Sequence, residues 1–387
     1  KFIVKAFLYK IPIMSGIYLH IPFCKQACHY CNFHFSTSLK YKSDMVAAII
    51  REIDLRKNEW NHLSVETIYF GGGTPSLLTA SELESIFAAL DAAFDIRPNA
   101  EITLEANPDD LTPDKLSELY KTPINRLSIG IQSFAEADLR YMNRAHNAHE
   151  ARASIANALQ VGFTNLTADL IYGTPGMSDV QWRENLHTLF ELRIPHISCY
   201  ALTVEEQTAL SHFIKTGKSK PVDEAQAARQ FEILVAEMLA HDYEHYEISN
   251  FCKSDNYSRH NTAYWQGKPY LGIGPAAHSF DGKQRSWNIS NNAKYMTEIQ
   301  AGNLPLEIEE LSDEDRFNEY LMTGFRTKWG CDLKKIQSFG IGFERYFMEA
   351  VFPYLEKKMI LREGDIFRLS DEGKFLSDGI ISDLFVV

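Results

Sequence analysis

Cysteine is scarce in this chain, and the cysteines that are present are unevenly spaced. The 387 residues contain 6 cysteines, which is too few for a disulfide scaffold of this length. Cys24, Cys28 and Cys31 fall close together, whereas the others are scattered. Clustered thiols without a secretory signal are typical of metal ligands in a reducing compartment, so we expect a cytoplasmic protein.

Long apolar runs and an excess of basic charge are also lacking. No run approaches the roughly 18 apolar residues of a membrane-spanning helix, and Lys1, Lys5 and Lys10 interrupt the first apolar stretch, so no membrane span is predicted. The formal net charge is −12, which disfavours a nucleic-acid binder because such proteins need a basic surface. A hydrophobic fraction of 45% is ordinary for a globular protein and excludes disorder.

Short β-rich runs alternate with amphipathic helical stretches over the first half of the chain. The runs begin at Gly16, Glu66, Glu101, Arg126, Leu166 and His196. This alternation predicts an α/β fold with parallel strands and right-handed crossovers. Six units are fewer than a full eight-fold barrel needs. We therefore predict a partial (β/α)6 TIM-like barrel, with a doubly wound sheet as the alternative.

Changes of pattern predict four parts of the chain. Residues 1–13 are an N-terminal extension that is expected to add nothing to the fold, and residues 14–215 form the core barrel. An α+β accessory region follows at 216–304, and a small winged-helix-like domain at 305–387. Winged helices often bind DNA, but residues 305–387 have a formal net charge of −6, which favours packing or partner docking.

The three clustered cysteines form a CxxxCxxC motif directly after the first predicted strand. That places them at the carboxyl end of the strand, where parallel barrels build their active sites. Three cysteines leave one iron of a [4Fe–4S] cube open, whereas structural zinc prefers four ligands. His29 and His34 could complete a zinc site, so both metals stay open at this point.

Other residues at the predicted strand ends suit a small polar ligand. Glycines 71 to 73 follow the second strand and let the backbone approach a ligand closely. Glu105, Gln132 and Asp169 lie near the ends of the third, fourth and fifth strands, so they are expected to converge on one barrel mouth. Arg144 suits a carboxylate through its planar guanidinium group.

The segment YLHIPFCKQACHYCNF resembles the signature of the radical SAM superfamily. The segments FGGGTPS, LEANP, SIGIQSF, NRAH, DLIYGTPG and HNTAYW extend the likeness to the oxygen-independent coproporphyrinogen III oxidase family, and within it to the haem-chaperone branch. The resemblance implies a radical SAM barrel whose three cysteines hold a [4Fe–4S] cluster, with S-adenosylmethionine on the open iron. It implies S-adenosylmethionine contacts at Tyr18, Tyr30, Gly72, Gly73, Thr74, Glu105, Gln132, Arg144, Asp169 and Ala201.

The sequence departs from the oxidase pattern in ways that favour the chaperone branch. The oxidase has a further cysteine two residues after the third, where this chain has Phe33. It also has a long N-terminal arm, whereas only 23 residues precede Cys24 here. The HNxxYW motif implies haem binding through His260 and Trp265, with His260 as one candidate for the axial iron ligand. The competing candidates for that ligand are His20, His278 and Cys252.

The expected function is therefore that of a haem chaperone that passes haem to an acceptor protein, with a membrane-associated respiratory protein as one expected acceptor. The alternative is a radical SAM enzyme of the coproporphyrinogen oxidase type, which would generate a 5′-deoxyadenosyl radical. A zinc-stabilised barrel without a redox role is a third hypothesis.

Overall fold

The computed structural model describes residues 15–59 and 64–386, so the predicted extension at 1–13 lies outside the described residues. Its centre is a run of parallel strands, each of which overlaps one of the six predicted β-rich runs. These strands are β1 (Ser15–Ile21), β2 (Ser64–Gly72), β3 (Asp95–Ala106), β4 (Arg126–Gln132), β5 (Leu166–Tyr172) and β6 (His196–Ala201). Alternate residues of β1 face opposite sides: Ile17 and Leu19 are buried in the outer core, whereas Tyr18 and His20 line an interior cavity.

Helices connect these strands and cover the outer face of the sheet. They are α1 (Lys42–Arg56), α2 (Ala80–Ala93), α3 (Pro113–Leu119), α4 (Glu136–Tyr141), α5 (Ala148–Val161) and α6 (Asp179–Glu191). Two 3₁₀ turns lie at Pro75–Leu77 and Pro108–Asp110. Capping boxes at Thr79, Asn147 and Ser178 start α2, α5 and α6, because each side chain accepts a hydrogen bond from a free amide of the first turn.

The order of the strands distinguishes the two predicted architectures. Strands β1 to β6 are neighbours in chain order, so the sheet winds in one direction only. A doubly wound sheet reverses its order at a switch point, and that alternative is therefore wrong. The predicted α/β barrel of six parallel strands is confirmed.

The following segment extends the sheet at both of its edges. It contains α7 (Ala209–Lys215), α8 (Glu224–Ala240), β7 (Glu244–Glu247), β8 (Asn250–Cys252), α9 (Arg259–Trp265), β9 (Tyr270–Ile273), β10 (His278–Phe280), β11 (Gln284–Asn288), α10 (Asn292–Gln300) and β12 (Leu306–Glu310). Strand β8 pairs antiparallel with β6, and β9 pairs parallel with β1. The result is a sheet of 12 strands in the order β12-β11-β10-β9-β1-β2-β3-β4-β5-β6-β8-β7.

The last segment has its own apolar core, built around Phe317, Phe347 and Phe367. Its elements are α11 (Asp313–Phe325), β13 (Cys331–Asp332), α12 (Leu333–Gln337), α13 (Ile341–Glu356), β14 (Ile360–Glu363), β15 (Ile366–Leu369), α14 (Asp371–Phe375) and α15 (Ser377–Asp383). The chain order α11-β13-α12-α13-β14-β15, with the strands paired antiparallel in the order β13-β15-β14, matches the predicted winged-helix-like form. Within the described ranges, no helix combines the length and apolarity needed to cross a membrane. The exact four-part division of the chain stays a prediction.

Candidate functional site

The cysteine loop is fastened on one side to the turn after β2. The Gly73 amide donates to the Ile21 carbonyl at 2.9 Å, and the Thr74 amide donates to the Phe23 carbonyl at 2.6 Å. A Cβ atom on Gly73 would lie 2.6 Å from the Phe23 carbonyl oxygen, so only glycine allows this approach. Gly72 is also required by its backbone, since its φ of +102° is unfavourable for other residues. The glycine run therefore fixes the loop as well as opening space beside it.

The other side of the loop is held by the segment between α4 and α5. The Asn143 side chain donates to the Ala27 carbonyl at 2.7 Å, and the Gln26 side chain donates to the Asn143 carbonyl at 2.9 Å. The His29 amide donates to the Met142 carbonyl at 3.1 Å. Asn143 itself has a φ of +57°, a conformation that asparagine tolerates better than most residues. The NRAH segment thus positions the thiols of the loop.

All three cysteines of the loop are free thiols and half-buried. Burial raises the pKa of Cys24 to about 11 and also raises the pKa of Cys31, because a thiolate is poorly solvated there. The Arg144 guanidinium acts in the opposite direction and lies near enough to donate to the Cys28 sulfur at 3.2 Å. Bound metal would replace the protons of these thiols.

The spacing of the thiols is wider than a single metal ion requires. Among the described residues, one group has three ligating atoms within 4.8 Å of one another, and it is His187, Glu237 and His241, which lie on α6 and at the end of α8. The three cysteines do not form such a group, although the sulfurs of a tetrahedral zinc site lie within about 4 Å of one another. One ring nitrogen of His29 bonds to the Tyr141 carbonyl at 2.9 Å, and one of His34 bonds to the Asn292 side chain at 2.7 Å, so the second nitrogen of each ring has no hydrogen bond to a described residue.

Most of the predicted S-adenosylmethionine contacts line one cavity of about 550 Å³ beside the cysteine loop. The predicted residues that line it are Cys24, Cys28, Tyr30, Cys31, Gly72, Gly73, Thr74, Glu105, Gln132, Arg144, Asp169 and Ala201. Tyr18 is the exception, because it lines the neighbouring cavity. Residues from the ends of β2 to β6 thus converge on the cysteine loop.

Arg144 is the most constrained of these side chains. Its Nη2 donates to the Asn107 side-chain oxygen at 2.6 Å and to the Gly130 carbonyl at 2.9 Å, while its buried Nε has no hydrogen-bond partner within the described ranges. Asn107 also donates to Thr74 at 3.2 Å. Asn107 is not among the predicted site residues, although it lies in the LEANP segment two residues after Glu105. The position of Asn107 at the end of β3 is the feature from which its place in the site could have been predicted.

Two half-buried carboxyl groups face the same space. Burial raises the pKa of Glu105 to about 7 and that of Asp169 to about 6, and Asp169 adds to the shift at Glu105. Glu105 is held by the Tyr69 hydroxyl, which donates at 2.8 Å, and by the Gly72 amide at 3.2 Å. A cationic ligand would favour the ionised form of both groups, so these carboxyls suit a ligand that carries an ammonium or sulfonium charge.

A larger cavity of about 1190 Å³ lies next to the first, and Asn32, Phe33, Glu105 and Tyr200 line both. Its wall is rich in rings, among them Tyr18, Tyr69, His260, Tyr264, Trp265, Tyr270 and His278. Phe33, which replaces a cysteine of the oxidase pattern, is 68% exposed between the two cavities. A wide aromatic chamber therefore opens directly onto the space beside the cysteine loop.

His260 lies on α9, where the Ser258 hydroxyl accepts from the Asn261 amide at 3.4 Å and starts the helix. The His260 Nδ1 forms a hydrogen bond of 2.8 Å with the Thr67 hydroxyl of β2, and the ring stacks on Tyr69 at 5.1 Å. Burial lowers the pKa of His260 to about 4, so the imidazole is neutral. Its Nε2 has no hydrogen-bond partner in the described part of the chain. These are the conditions that a metal-binding histidine needs.

The other candidate axial ligands differ in their surroundings. Both ring nitrogens of His20 are engaged, by the Tyr18 hydroxyl at 3.1 Å and the His34 carbonyl at 2.8 Å. Cys252 is fully buried and does not line the larger cavity. His278 does line it, and its ring stacks on Trp287 at 5.7 Å without a hydrogen bond to any described residue. The geometry thus narrows the candidates to His260 and His278.

Comparison with known proteins places this chain in a family. A model of the radical SAM superfamily matches residues 18–189, and a model of the HemN C-terminal domain matches residues 311–376. The haem chaperone HemW of Mycobacterium tuberculosis is 32% identical over 95% of this chain and 94% of its own length. HemW of Bacillus subtilis is 30% identical over 95% of this chain and 98% of its own length.

A solved structure has the same fold over nearly the whole chain. Coproporphyrinogen III oxidase HemN from Escherichia coli superposes with a TM-score of 0.84 at 21% identity, covering 97% of this chain and 90% of that one. The barrel and the first matched region are those of the radical SAM superfamily, which implies a [4Fe–4S] cluster and S-adenosylmethionine. Since these two bacterial relatives match almost end to end, the chain belongs to the HemW family within that superfamily.

Proposed function

We propose that this protein is a haem chaperone that carries a [4Fe–4S] cluster and S-adenosylmethionine in its barrel and binds haem in the larger cavity. The observation that carries the proposal is the neutral His260 imidazole, whose Nδ1 is held by Thr67 and whose Nε2 is free in an aromatic cavity of about 1190 Å³. A cavity of this size accommodates a large planar ligand.

In this proposal the three loop cysteines hold the cluster. Their wide spacing supports a cube rather than a zinc ion. The cluster would supply the electron of radical SAM chemistry when it is bound and reduced. Arg144, with its unpartnered Nε, is assigned to the methionine carboxylate. Glu105 and Asp169 are assigned to the nucleoside and to the positive charge of S-adenosylmethionine. The remaining predicted residues of that cavity are assigned to further contacts with the same ligand.

The proposed haem ligand is His260 through Nε2, with Trp265 stacking on the porphyrin. A metal-bound histidine usually donates its second ring N–H to a neighbouring acceptor, and the Thr67 hydroxyl occupies that position for Nδ1. Tyr18 lines the same cavity, so its proposed contact to S-adenosylmethionine is made from the boundary of the two spaces. The proposed acceptor is a membrane-associated respiratory protein, and the free thiols support a cytoplasmic location.

A radical SAM enzyme remains the second candidate, and the intact lining of the smaller cavity favours it. Arg144, Glu105 and Asp169 all face the space beside the cysteines, as substrate-directed radical chemistry would also require. Incubation of the reduced, reconstituted protein with S-adenosylmethionine and coproporphyrinogen separates the two functions. Release of 5′-deoxyadenosine with decarboxylated product would support the enzyme, and its absence alongside haem transfer would support the chaperone.

The test of the chaperone proposal is direct. Anaerobically reconstituted protein is titrated with haem while the Soret band is followed, and the complex is then mixed with an apo-cytochrome. We expect saturable haem binding, followed by transfer of the haem to the acceptor, which then shows the Soret band. Failure to bind haem at all would refute the proposal.

A further inference from the structure

The larger cavity contains two arginine side chains in addition to its aromatic wall. Of the described residues that line it, Arg285 and Arg326 are the ones with a permanent positive charge. The cavity also holds four histidines, but burial lowers the pKa of His20 and His260 to about 4. The two arginines are thus the permanent cations of a chamber that also contains the carboxyl groups of Glu105 and Glu247, in a chain whose formal net charge is −12.

Arg285 projects from β11 on the same face of the sheet as the cavity histidine of β10. It lies opposite Phe280 in the antiparallel register, and His278 lies opposite Trp287, so these four residues share one face. Its Nη2 forms an ion pair with Glu319 of α11. The other guanidinium nitrogens make no hydrogen bond to any described residue, so Arg285 can donate hydrogen bonds to a second anion.

Arg326 caps the end of α11 and reaches the cavity from the C-terminal segment. Its Nε pairs with the buried Glu247 at 3.1 Å, which fixes the stem of the side chain. Its Nη1 lies 3.3 Å from Asp378, whose side chain is 91% exposed, and such a solvated pair is easily exchanged. The guanidinium carbon lies 5.2 Å from the ring centroid of Trp265, so this cation is next to the proposed stacking ring.

We propose that Arg285 and Arg326 form a carboxylate clamp that binds the propionate groups of haem. The inference rests on the proposed function and concerns how the same cavity recognises the carboxylate groups of haem. An acidic chain repels a dianionic ligand, so local cations are needed to hold it, and the guanidinium group binds carboxylates through paired N–H donors. The propionates would replace Glu319 and Asp378, which both belong to the C-terminal segment, as partners of the arginines.

The first test changes the ligand and leaves the protein intact. Wild-type reconstituted protein is titrated with haem and with haem dimethyl ester, which lacks free carboxylates, in one detergent-containing buffer. We expect haem to bind at least about tenfold more tightly, because a charged hydrogen bond typically contributes that much. Equal affinity for the two ligands would overturn the clamp while leaving haem binding in place. Binding of neither ligand would overturn the clamp together with the proposed function.

The second test changes the protein. Arg285→Gln and Arg326→Gln should each weaken haem binding by about tenfold and leave binding of the dimethyl ester unchanged. Arg316→Gln is the matched control, since Arg316 also lies on α11 but pairs with Asp313 and does not line the larger cavity. If both variants bind haem as tightly as the control, the clamp is refuted. A variant that loses affinity for both ligands equally would show a structural role instead, and would also count against the clamp.

Discussion

The hydrogen bond between His260 and Thr67 offers a sharp test of the haem ligand. Thr67→Val keeps the shape of this buried side chain and removes the hydroxyl that lies 2.8 Å from Nδ1. Loss of such an orienting partner typically weakens metal binding by about 10- to 100-fold. We therefore expect haem affinity to fall by that factor while the Soret position is kept, because the axial nitrogen is still present.

The stability of the apo protein should also fall. The variant leaves the buried Nδ1 without a partner, which costs about 1–3 kcal/mol in unfolding free energy. Thermal unfolding of the apo protein measures that part separately from haem titration. His260→Ala should go further and shift or abolish the Soret band, with cluster content unchanged, because the axial ligand itself is removed.

His278→Ala provides the matched control, since His278 is the competing candidate ligand in the same cavity and its ring makes no hydrogen bond to a described residue. It should leave both the position of the Soret band and the affinity close to wild type. The reasoning would be refuted if His260→Ala retained the wild-type spectrum and His278→Ala lost it. Equal loss of fold stability and haem binding in His260→Ala would instead assign His260 a structural role.

Other expected outcomes concern the smaller cavity and the stacking ring. Alanine at any one of the three loop cysteines should abolish iron and sulfide binding, whereas Cys331→Ala should retain the full content. Glu105→Ala or Asp169→Ala should weaken S-adenosylmethionine about 10- to 150-fold by calorimetry, with the cluster intact. Because burial raises the pKa of Glu105 to about 7, wild-type affinity should rise between about pH 6 and 8 as the carboxylate forms, and Glu105→Gln should flatten that rise. Trp265→Ala should weaken haem binding without altering the ligation spectrum, because stacking contributes contact area and no metal bond.

The barrel was predictable because its strands are local and continuous in the sequence. The predicted run from Arg126 and the observed β4 (Arg126–Gln132) begin at the same residue. Strand β3 was predicted only from Glu101, but it begins at Asp95, where Ser64 pairs with it. Pro98 and its polar neighbours concealed that first part, since such residues disfavour a strand in isolation and only the pairing with β2 stabilises it.

The extension of the sheet was less predictable, because its pairing is long-range. Strand β9 pairs in parallel with β1, and the register joins Gly16 to Tyr270 across most of the chain. The accessory region at 216–304 is predicted to be α+β, but its pattern does not indicate that its strands join the sheet of the barrel. Short strands next to distant partners carry little pattern of their own, so their place is decided by tertiary contacts.

Strand β2 shows why the contacts within a site are not predicted from the sequence. Its alternate residues Thr67, Tyr69 and Gly71 face the interior, as the period of two predicts. Thr67 holds His260, while Tyr69 stacks on that histidine and donates to Glu105, so one strand positions groups in both cavities. A Cβ atom at Gly71 would lie 2.9 Å from the Tyr18 ring and 3.2 Å from the Glu105 carboxylate, so a larger residue there would crowd both groups. The sequence predicts which residues face inward, but their partners come from elements that only the closed fold brings together.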